Sequence, residues 1–155
     1  AVEVYREYYR EKGIFEISVY DGMLPLLRAL HEDGRTVILA TSKPEAFAEK
    51  IVAHIGAAEY FDVVAGSCFD GSRIDKDEVI EYALGRCGIS DRAGAVMIGD
   101  RDSDIIGAKR TGMDSIGVLY GFGSRGELEA ARPDYLAESP CDIGKIILGK
   151  DYGRG

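Results

Sequence analysis

Three aspartates lie within five residues, Asp100, Asp102 and Asp104, directly after a short apolar run that ends at Gly99. Carboxylates this close raise one another's pKa unless a cation lies among them. Asp100 and Asp104 are one helical turn apart, so a helix starting here would direct both at the same point. Carboxylate oxygens at this spacing suit Mg²⁺, which takes one or two carboxylates together with water and phosphate oxygens. An acidic first turn that favours the helix dipole is the alternative; it accounts for Asp102 but not for a cluster of three.

Two hydroxyl groups and a lysine follow an earlier apolar run, at Thr41, Ser42 and Lys43, ahead of Pro44. Free amides at the start of a helix, together with hydroxyls and a positive charge, form a natural phosphate-binding site. The same residues would also serve as an ordinary cap before a helix that proline begins. The pattern by itself leaves both interpretations open.

Lys76 stands at the predicted start of a helix. Cations are unfavourable at that end of the helix dipole, so a negative group should face this lysine. A solvated surface lysine is the alternative. We expect Lys76 to lie near Asp100 or Asp104, although more than twenty residues separate them in the chain.

Strands and helices alternate from residue 22 onward, and these are the elements that would position the polar groups. The strand segments are apolar on both faces, which predicts a mostly parallel sheet covered by helices on both sides. In such folds, ligands bind beyond the carboxyl ends of the strands. The predicted strands are 35–41, 61–67, 95–99, 115–121 and 134–139, and the predicted helices are 22–34, 43–56, 76–88, 103–112, 125–131 and 141–148. Residues 2–12 are predicted to form a further helix, and residues 14–21 a linker.

The composition is that of an ordinary globular domain, with 155 residues of which 46% are hydrophobic and 30% charged. A net charge of -8 argues against nucleic acid or an anionic membrane surface as a general partner. No apolar run reaches the length of a membrane span. The three cysteines, Cys68, Cys87 and Cys141, form neither a disulfide framework nor a metal motif, which predicts reduced thiols in the cytoplasm.

The order of these features resembles the haloacid dehalogenase superfamily of phosphohydrolases. Thr41 matches the second motif of that family, Lys76 the third, and Gly99, Asp100 and Asp104 the fourth. The segments "ATSKP", "MIGDRDSDIIGAK" and "GVLYGFGSRGEL" resemble its phosphoglycolate-phosphatase-like branch. The resemblance covers essentially the whole chain and implies a Rossmann-like, three-layer α/β core.

The resemblance also implies a function: a Mg²⁺-dependent phosphomonoester hydrolase that acts on a small phosphorylated metabolite through an aspartyl phosphate. Thr41 and the amide of Ser42 would hold the phosphate, and Lys76 would neutralise the nucleophile and the phosphate oxygens. Asp100 would bind Mg²⁺, and Asp104 would orient Lys76 or a metal-bound water. The predicted site residues are Thr41, Lys76 and Asp104 for catalysis, Thr41, Ser42, Lys43 and Lys76 for phosphate, and Asp100 and Asp104 for the metal.

The chain departs from the family at the first motif, an Asp-x-Asp followed by Gly-Thr at the end of the central strand. In that motif the first Asp is the nucleophile and the second is the general acid and base. The nearest segment here is Asp21-Gly22, which has one aspartate where two are needed. Family order also places a helical cap ahead of the second motif. We therefore interpret residues 1–18 as the end of a cap and its linker, and residues 19–155 as a core that lacks its first, central strand.

The simplest interpretation is that the chain is the C-terminal part of a larger phosphatase. Loss of the central strand would leave the backbone groups of its two neighbours unpaired, which is costly when they are buried. Either an N-terminal segment carrying the nucleophile accompanies the chain, or the sheet is rearranged. We expect the chain alone to be inactive. A phosphomutase or phosphotransferase on the same scaffold, and a non-catalytic fragment that only binds Mg²⁺ or phosphate, are the alternatives.

Overall fold

The structure, a computed structural model, describes residues 2–5, 9–13, 16–19, 22–67, 75–90, 92, 94–121 and 123–149, with the backbone alone for residues 2–19 and for Ser42. The strands are β1 (Val2–Tyr5), β2 (Tyr9–Gly13), β3 (Glu16–Val19), β4 (Thr36–Pro44), β5 (Val63–Ser67), β6 (Ala95–Gly99), β7 (Asp114–Val118) and β8 (Tyr135–Ala137). The helices are α1 (Met23–Glu32), α2 (Glu45–His54), α3 (Lys76–Arg86), α4 (Asp102–Arg110), α5 (Arg125–Ala131) and α6 (Pro140–Leu148), with a 3₁₀ turn at Ala58–Tyr60.

Six strands of the described chain form one sheet, in the order β5-β4-β1-β6-β7-β8, and neighbouring strands run parallel. Strands β2 and β3 form a separate antiparallel pair. Each strand and helix predicted from residue 22 onward is present, with ends shifted by a few residues. The predicted α/β fold with a mostly parallel sheet is therefore confirmed.

Helices cover both faces of the sheet, and strand β4 shows how. Successive residues of a strand point to opposite faces. Val37 and Leu39 belong to one buried cluster, which also contains residues of α1, α2 and α6. Ile38 and Ala40 belong to a second cluster with residues of α3 and α4. The three-layer arrangement follows from this, and it explains why the strand segments are apolar without alternation.

The N-terminal prediction was wrong. Residues 2–12 do not form a helix, because β1 and most of β2 lie there, and β3 occupies Glu16–Val19 within the predicted linker. Strand β1 pairs with both β4 and β6, so the central position of the sheet is filled rather than absent. The physical reason is that the backbone groups of β4 and β6 need hydrogen-bonding partners, and β1 provides them. The division of the chain at residues 18 and 19 stays a prediction.

None of the helices in the described part of the chain has the length and hydropathy that a membrane span requires.

Candidate active site

The predicted site residues lie near the carboxyl ends of parallel strands. Thr41 lies in the last part of β4, and Asp100 follows β6 directly. Gly121 and Gly123 lie in the loop that follows β7. Because the sheet is parallel, these chain segments reach the same edge of it, where α/β folds bind their ligands.

Lys76 and Asp104 form a buried ion pair. The Lys76 Nζ atom lies 3.2 Å from Asp104 Oδ1, and the side chains are 5% and 0% exposed. Asp75 precedes α3 as its N-cap, and its N–H donates to Glu78 Oε1 at 3.1 Å, which fixes Lys76 as the first residue of the helix. The expectation that Lys76 lies close to Asp100 or Asp104 is confirmed, and the solvated-lysine alternative is excluded.

Both carboxylate oxygens of Asp104 have partners. Oδ1 faces Lys76, and Oδ2 accepts a hydrogen bond from the Arg101 N–H at 3.2 Å. A Cβ atom at Gly99 would overlap the Asp104 side chain, so glycine is needed at the end of β6. The sequence left open whether Asp104 orients Lys76 or serves the metal and its water. This geometry favours the first role, and metal binding by Asp104 stays a prediction.

Gly107 in α4 lets Lys76 reach Asp104, and sequence reasoning missed it. A Cβ atom at Gly107 would lie 2.9 Å from Lys76 Cγ and 3.2 Å from Ile80 Cδ1. Glycine inside a helix costs about 1 kcal/mol relative to alanine. The aliphatic part of the Lys76 side chain therefore crosses α4 at Gly107, where any larger residue would displace the lysine.

We expect Gly107→Ala to gain less stability than its helix propensity predicts and to lower turnover, because the new methyl group displaces Lys76 from Asp104. Gly85→Ala in α3 is the matched control, since nothing lies within 4 Å of a Cβ atom there. The control should raise the free energy of unfolding by about 0.5–1 kcal/mol and leave turnover unchanged. Urea unfolding of residues 1–155 measures the first effect, and phosphate release by the complete enzyme measures the second. Equal behaviour of the two variants would show that Gly107 does not position Lys76.

Asp100 lies beneath the loop that follows β7 and is 1% exposed. A Cβ atom at Gly121 would overlap the Asp100 side chain, and one at Gly123 would overlap the Asp100 carbonyl oxygen. These glycines were assigned no role in the site from the sequence, and the structure gives them one. They allow the backbone after β7 to lie directly on the residue predicted to bind the metal.

Glu127 in α5 contacts the site, although 25 residues separate it from Asp102 in the sequence. Its Oε2 atom accepts hydrogen bonds from Arg101 Nε at 2.8 Å and from the Asp102 N–H at 2.9 Å. The Asp102 amide, and after it the Arg101 guanidinium, lower the pKa of the Glu127 carboxyl. Glu127 in turn raises the pKa of Arg101. Both groups are therefore charged at neutral pH. Glu127 was not predicted from the sequence as a site residue.

Three of the residues predicted to bind phosphate, Thr41, Ser42 and Lys43, lie in the last part of β4. Thr41 is 3% exposed, and its Oγ1 atom accepts a hydrogen bond from the Lys43 N–H at 3.1 Å. Lys43 is half-buried, Pro44 precedes the first residue of α2, and the side chain of Ser42 lies outside the described part of the chain. Phosphate binding by these residues stays a prediction.

The carboxylates predicted to bind Mg²⁺ are those of Asp100 and Asp104. Within the described residues, no group of three or more His, Cys, Asp or Glu side chains could hold a metal ion. Mg²⁺ needs only one or two carboxylates when water and substrate oxygens complete its octahedron. Asp100 provides one, and the three glycines around Asp100 and Asp104 keep the space between their segments small. The residues present fit this ion.

Comparison with known sequences identifies the family of this chain. The sequence model of the haloacid dehalogenase-like hydrolases matches residues 1–112. The chain is 44% identical over 147 residues to a 5'-nucleotidase of Pseudomonas aeruginosa, a match that covers 95% of this chain and 66% of the relative. It is 39% identical over 124 residues to the tyrosine-protein kinase PtkA of Mycobacterium tuberculosis, covering 79% and 42%. A phosphoglycolate phosphatase of Vibrio vulnificus is 29% identical over 149 residues, covering 96% and 64%.

Solved structures agree with this. A Clostridium difficile protein described as a phosphatase superposes with a TM-score of 0.84 at 45% sequence identity, covering 88% of this chain and 64% of that one. The resemblance inferred from the order of motifs is therefore confirmed. The chain spans about two thirds or less of the length of these relatives.

Proposed function

Because the chain belongs to the haloacid dehalogenase-like hydrolase family, we propose that the whole protein is a Mg²⁺-dependent phosphomonoester hydrolase. The buried pair of Lys76 and Asp104, four residues along the chain from Asp100, is the observation that carries the proposal. It gives a buried cation that the Asp104 carboxylate holds in a fixed orientation. A surface ion pair would be mobile and screened by solvent, whereas this pair is not.

Each residue has a definite task in this proposal. Lys76 offsets negative charge on the phosphoryl group and on the attacking carboxylate, and Asp104 holds the Lys76 ammonium in place. Thr41, the amide of Ser42 and Lys43 bind the phosphate oxygens. Asp100 holds Mg²⁺. When bound, that ion neutralises charge on the transferring phosphoryl group and orients it.

The nucleophile in this proposal is an aspartate that the chain's own motifs do not include. Its carboxylate oxygen forms a bond to phosphorus, the bond from phosphorus to the ester oxygen breaks, and the departing oxygen takes a proton from a general acid. Water then attacks phosphorus, releasing inorganic phosphate and the free carboxylate. Thr41, Lys76 and Asp100 position the phosphate and the metal, but none of them is in this role.

The substrate we propose is a small phosphorylated metabolite. The names of the relatives suggest which to test first: a nucleoside 5'-monophosphate, from the relative at 44% identity, and then phosphoglycolate, from the relative at 29%. The net charge of -8 means that an anionic substrate relies on local cations such as Lys43 and Lys76, and it disfavours nucleic acid and membranes as partners. We propose the cytoplasm as the location because the cysteine spacing shows no disulfide pattern. Burial also raises the pKa of the Cys87 thiol, which keeps it protonated at neutral pH.

Phosphoryl transfer to an acceptor other than water is the second candidate, as in a phosphomutase or another phosphotransferase. The observation that favours it is the 39% identity to a protein named as a tyrosine kinase. The two candidates share every step up to the phosphorylated aspartate and differ in what removes the phosphoryl group. Product analysis separates them: hydrolysis gives free phosphate, whereas transfer gives a new phosphate ester.

The experiment is a phosphate-release assay with Mg²⁺ on two preparations, residues 1–155 alone and the same chain joined to an N-terminal segment that carries Asp-x-Asp. We expect the first to be no faster than Mg²⁺ without protein and the second to be active. The added strand would have to displace β1 from the centre of the sheet. Robust turnover by residues 1–155, lost on Asp21→Asn, would place the nucleophile at Asp21, which lies outside the described residues.

A further inference from the structure

We infer that Glu127 is a positioning residue for Asp100, the metal ligand of the proposed function, on which this inference rests. Glu127 lies in the first turn of α5. The Ser124 hydroxyl accepts a hydrogen bond from the Glu127 N–H at 3.0 Å and so fixes where the helix begins. The side chain then reaches across to the segment between β6 and α4 that contains Asp100.

Glu127 binds that segment twice through one oxygen. The Glu127 Oε2 atom takes the Arg101 Nε–H at 2.8 Å and the Asp102 N–H at 2.9 Å. Asp102 is the first residue of α4, so its amide is one of those that have no partner within the helix. A carboxylate at this end of a helix is also favoured by the dipole. Glu127 therefore fixes both the chain direction after Asp100 and the start of α4.

Arg101 is held from two sides, and this links the two halves of the site. Its N–H donates to Asp104 Oδ2 at 3.2 Å, while its guanidinium binds Glu127. A Cβ atom at Gly123 would overlap the Asp100 carbonyl oxygen and lie 3.2 Å from Glu127 Oε2. Asp100, Gly123 and Glu127 thus pack as one unit. Movement of the Glu127 carboxylate would release Arg101 and Asp102, the two residues that follow Asp100.

If Glu127 only stabilised the fold, its removal would change thermal stability and not Mg²⁺ affinity. The Arg101 and Glu127 side chains are 46% and 25% exposed, and ion pairs with this exposure contribute little to stability. Partners that orient a metal ligand, in contrast, typically change metal affinity 10- to 100-fold when they are removed. The two roles therefore differ in whether Mg²⁺ affinity or thermal stability changes.

The test is calorimetric titration of Mg²⁺ into the chain joined to an N-terminal segment that carries Asp-x-Asp, with thermal unfolding of each metal-free variant. We expect Glu127→Ala to weaken Mg²⁺ binding roughly 10- to 100-fold and to lower Tm by a few degrees at most. Glu127→Gln should weaken it less, since one amide oxygen can still accept from the Asp102 N–H. The control is Glu129→Gln, two residues along α5, which removes an exposed pair with Arg125 and should leave Mg²⁺ affinity unchanged.

A double variant adds a second condition. Arg101→Ala combined with Glu127→Ala should weaken Mg²⁺ binding by less than the product of the two single effects, because both residues act on one segment. Wild-type affinity in Glu127→Ala would overturn the inference and leave the proposed function standing. No Mg²⁺ binding by the wild-type chain joined to that segment would instead contradict Asp100 as the metal ligand, and this inference would fall with it.

Discussion

Asp100→Asn in the complete enzyme is expected to lower Mg²⁺-dependent turnover about 10³-fold and to leave the fold intact. The ion is expected to supply several kcal/mol of transition-state stabilisation, and about 4 kcal/mol corresponds to this factor. Asparagine has the shape of aspartate, so the close contacts that Asp100 makes with Gly121 and Gly123 are kept. Phosphate release at saturating substrate, measured across a Mg²⁺ series, gives the effect.

Two controls separate loss of the metal from loss of structure. Asp102→Asn changes a half-buried neighbour and keeps the backbone amide that donates to Glu127 Oε2, so it should alter turnover only a few-fold. Thermal unfolding should show that Mg²⁺ raises the Tm of the wild type and of Asp102→Asn but not of Asp100→Asn, since a ligand stabilises only the fold that binds it. Near wild-type turnover of Asp100→Asn at saturating Mg²⁺ would remove Asp100 from the metal site.

The sequence was sufficient for the parts of the molecule that local pattern decides. The apolar run of β4 and the helical spacing of α3 each have one outcome that buries their side chains, and both elements formed as predicted. The same reasoning placed Lys76 opposite an acidic partner, because a cation at the first residue of a helix requires one. Electrostatics therefore predicted a contact between residues far apart in the chain.

The N-terminal residues show where local pattern fails. Val4, Tyr5, Tyr8 and Tyr9 have helical spacing, but valine and tyrosine are also favoured in strands. Residues 2–5 form a strand rather than a helix because the backbone groups of β4 and β6 need hydrogen-bonding partners, which β1 provides. That requirement comes from the rest of the sheet. The spacing of residues 2–12 contains no information about it.

The parts of the site that were missed are defined by contacts between distant segments. Gly107, Gly121 and Gly123 look like ordinary glycines in sequence, and only the atoms packed against them in the fold show why no larger residue fits. Glu127 is one acidic residue among many in a chain with 27 of them. Its bonds to Arg101 and Asp102 depend on how α5 packs beside α4, which no spacing rule specifies.

The Lys76–Asp104 pair is expected to show the largest combined effect on stability and turnover. Lys76→Met removes the cation that faces a fully buried carboxylate, and breaking a buried pair in this way costs about 3–5 kcal/mol of unfolding free energy. Asp104→Asn should also destabilise the fold, because it removes the carboxylate that lies 3.2 Å from the buried Lys76 ammonium. Urea unfolding of the metal-free chain measures both.

The double variant Lys76→Met/Asp104→Asn has no buried charge at this position, and the asparagine oxygen can still accept from the Arg101 N–H. Replacing a buried ion pair by neutral groups of similar size is often close to neutral, so we expect at least half of the lost stability to return. Turnover should not return. Loss of one donor to a developing charge costs about 10²–10³-fold in rate, and the double variant lacks the same ammonium group.

An exposed ion pair in the same chain serves as the control for this experiment. Glu129→Gln removes the pair with Arg125, whose side chains are 56% and 53% exposed, and should change stability by less than about 0.5 kcal/mol. If the double variant at residues 76 and 104 is instead destabilised by the sum of its two single effects, the two side chains are not coupled and Asp104 does not act through Lys76. Recovery of stability without recovery of turnover would separate the structural role of the pair from its role in phosphoryl transfer, because only the second requires the lysine ammonium itself.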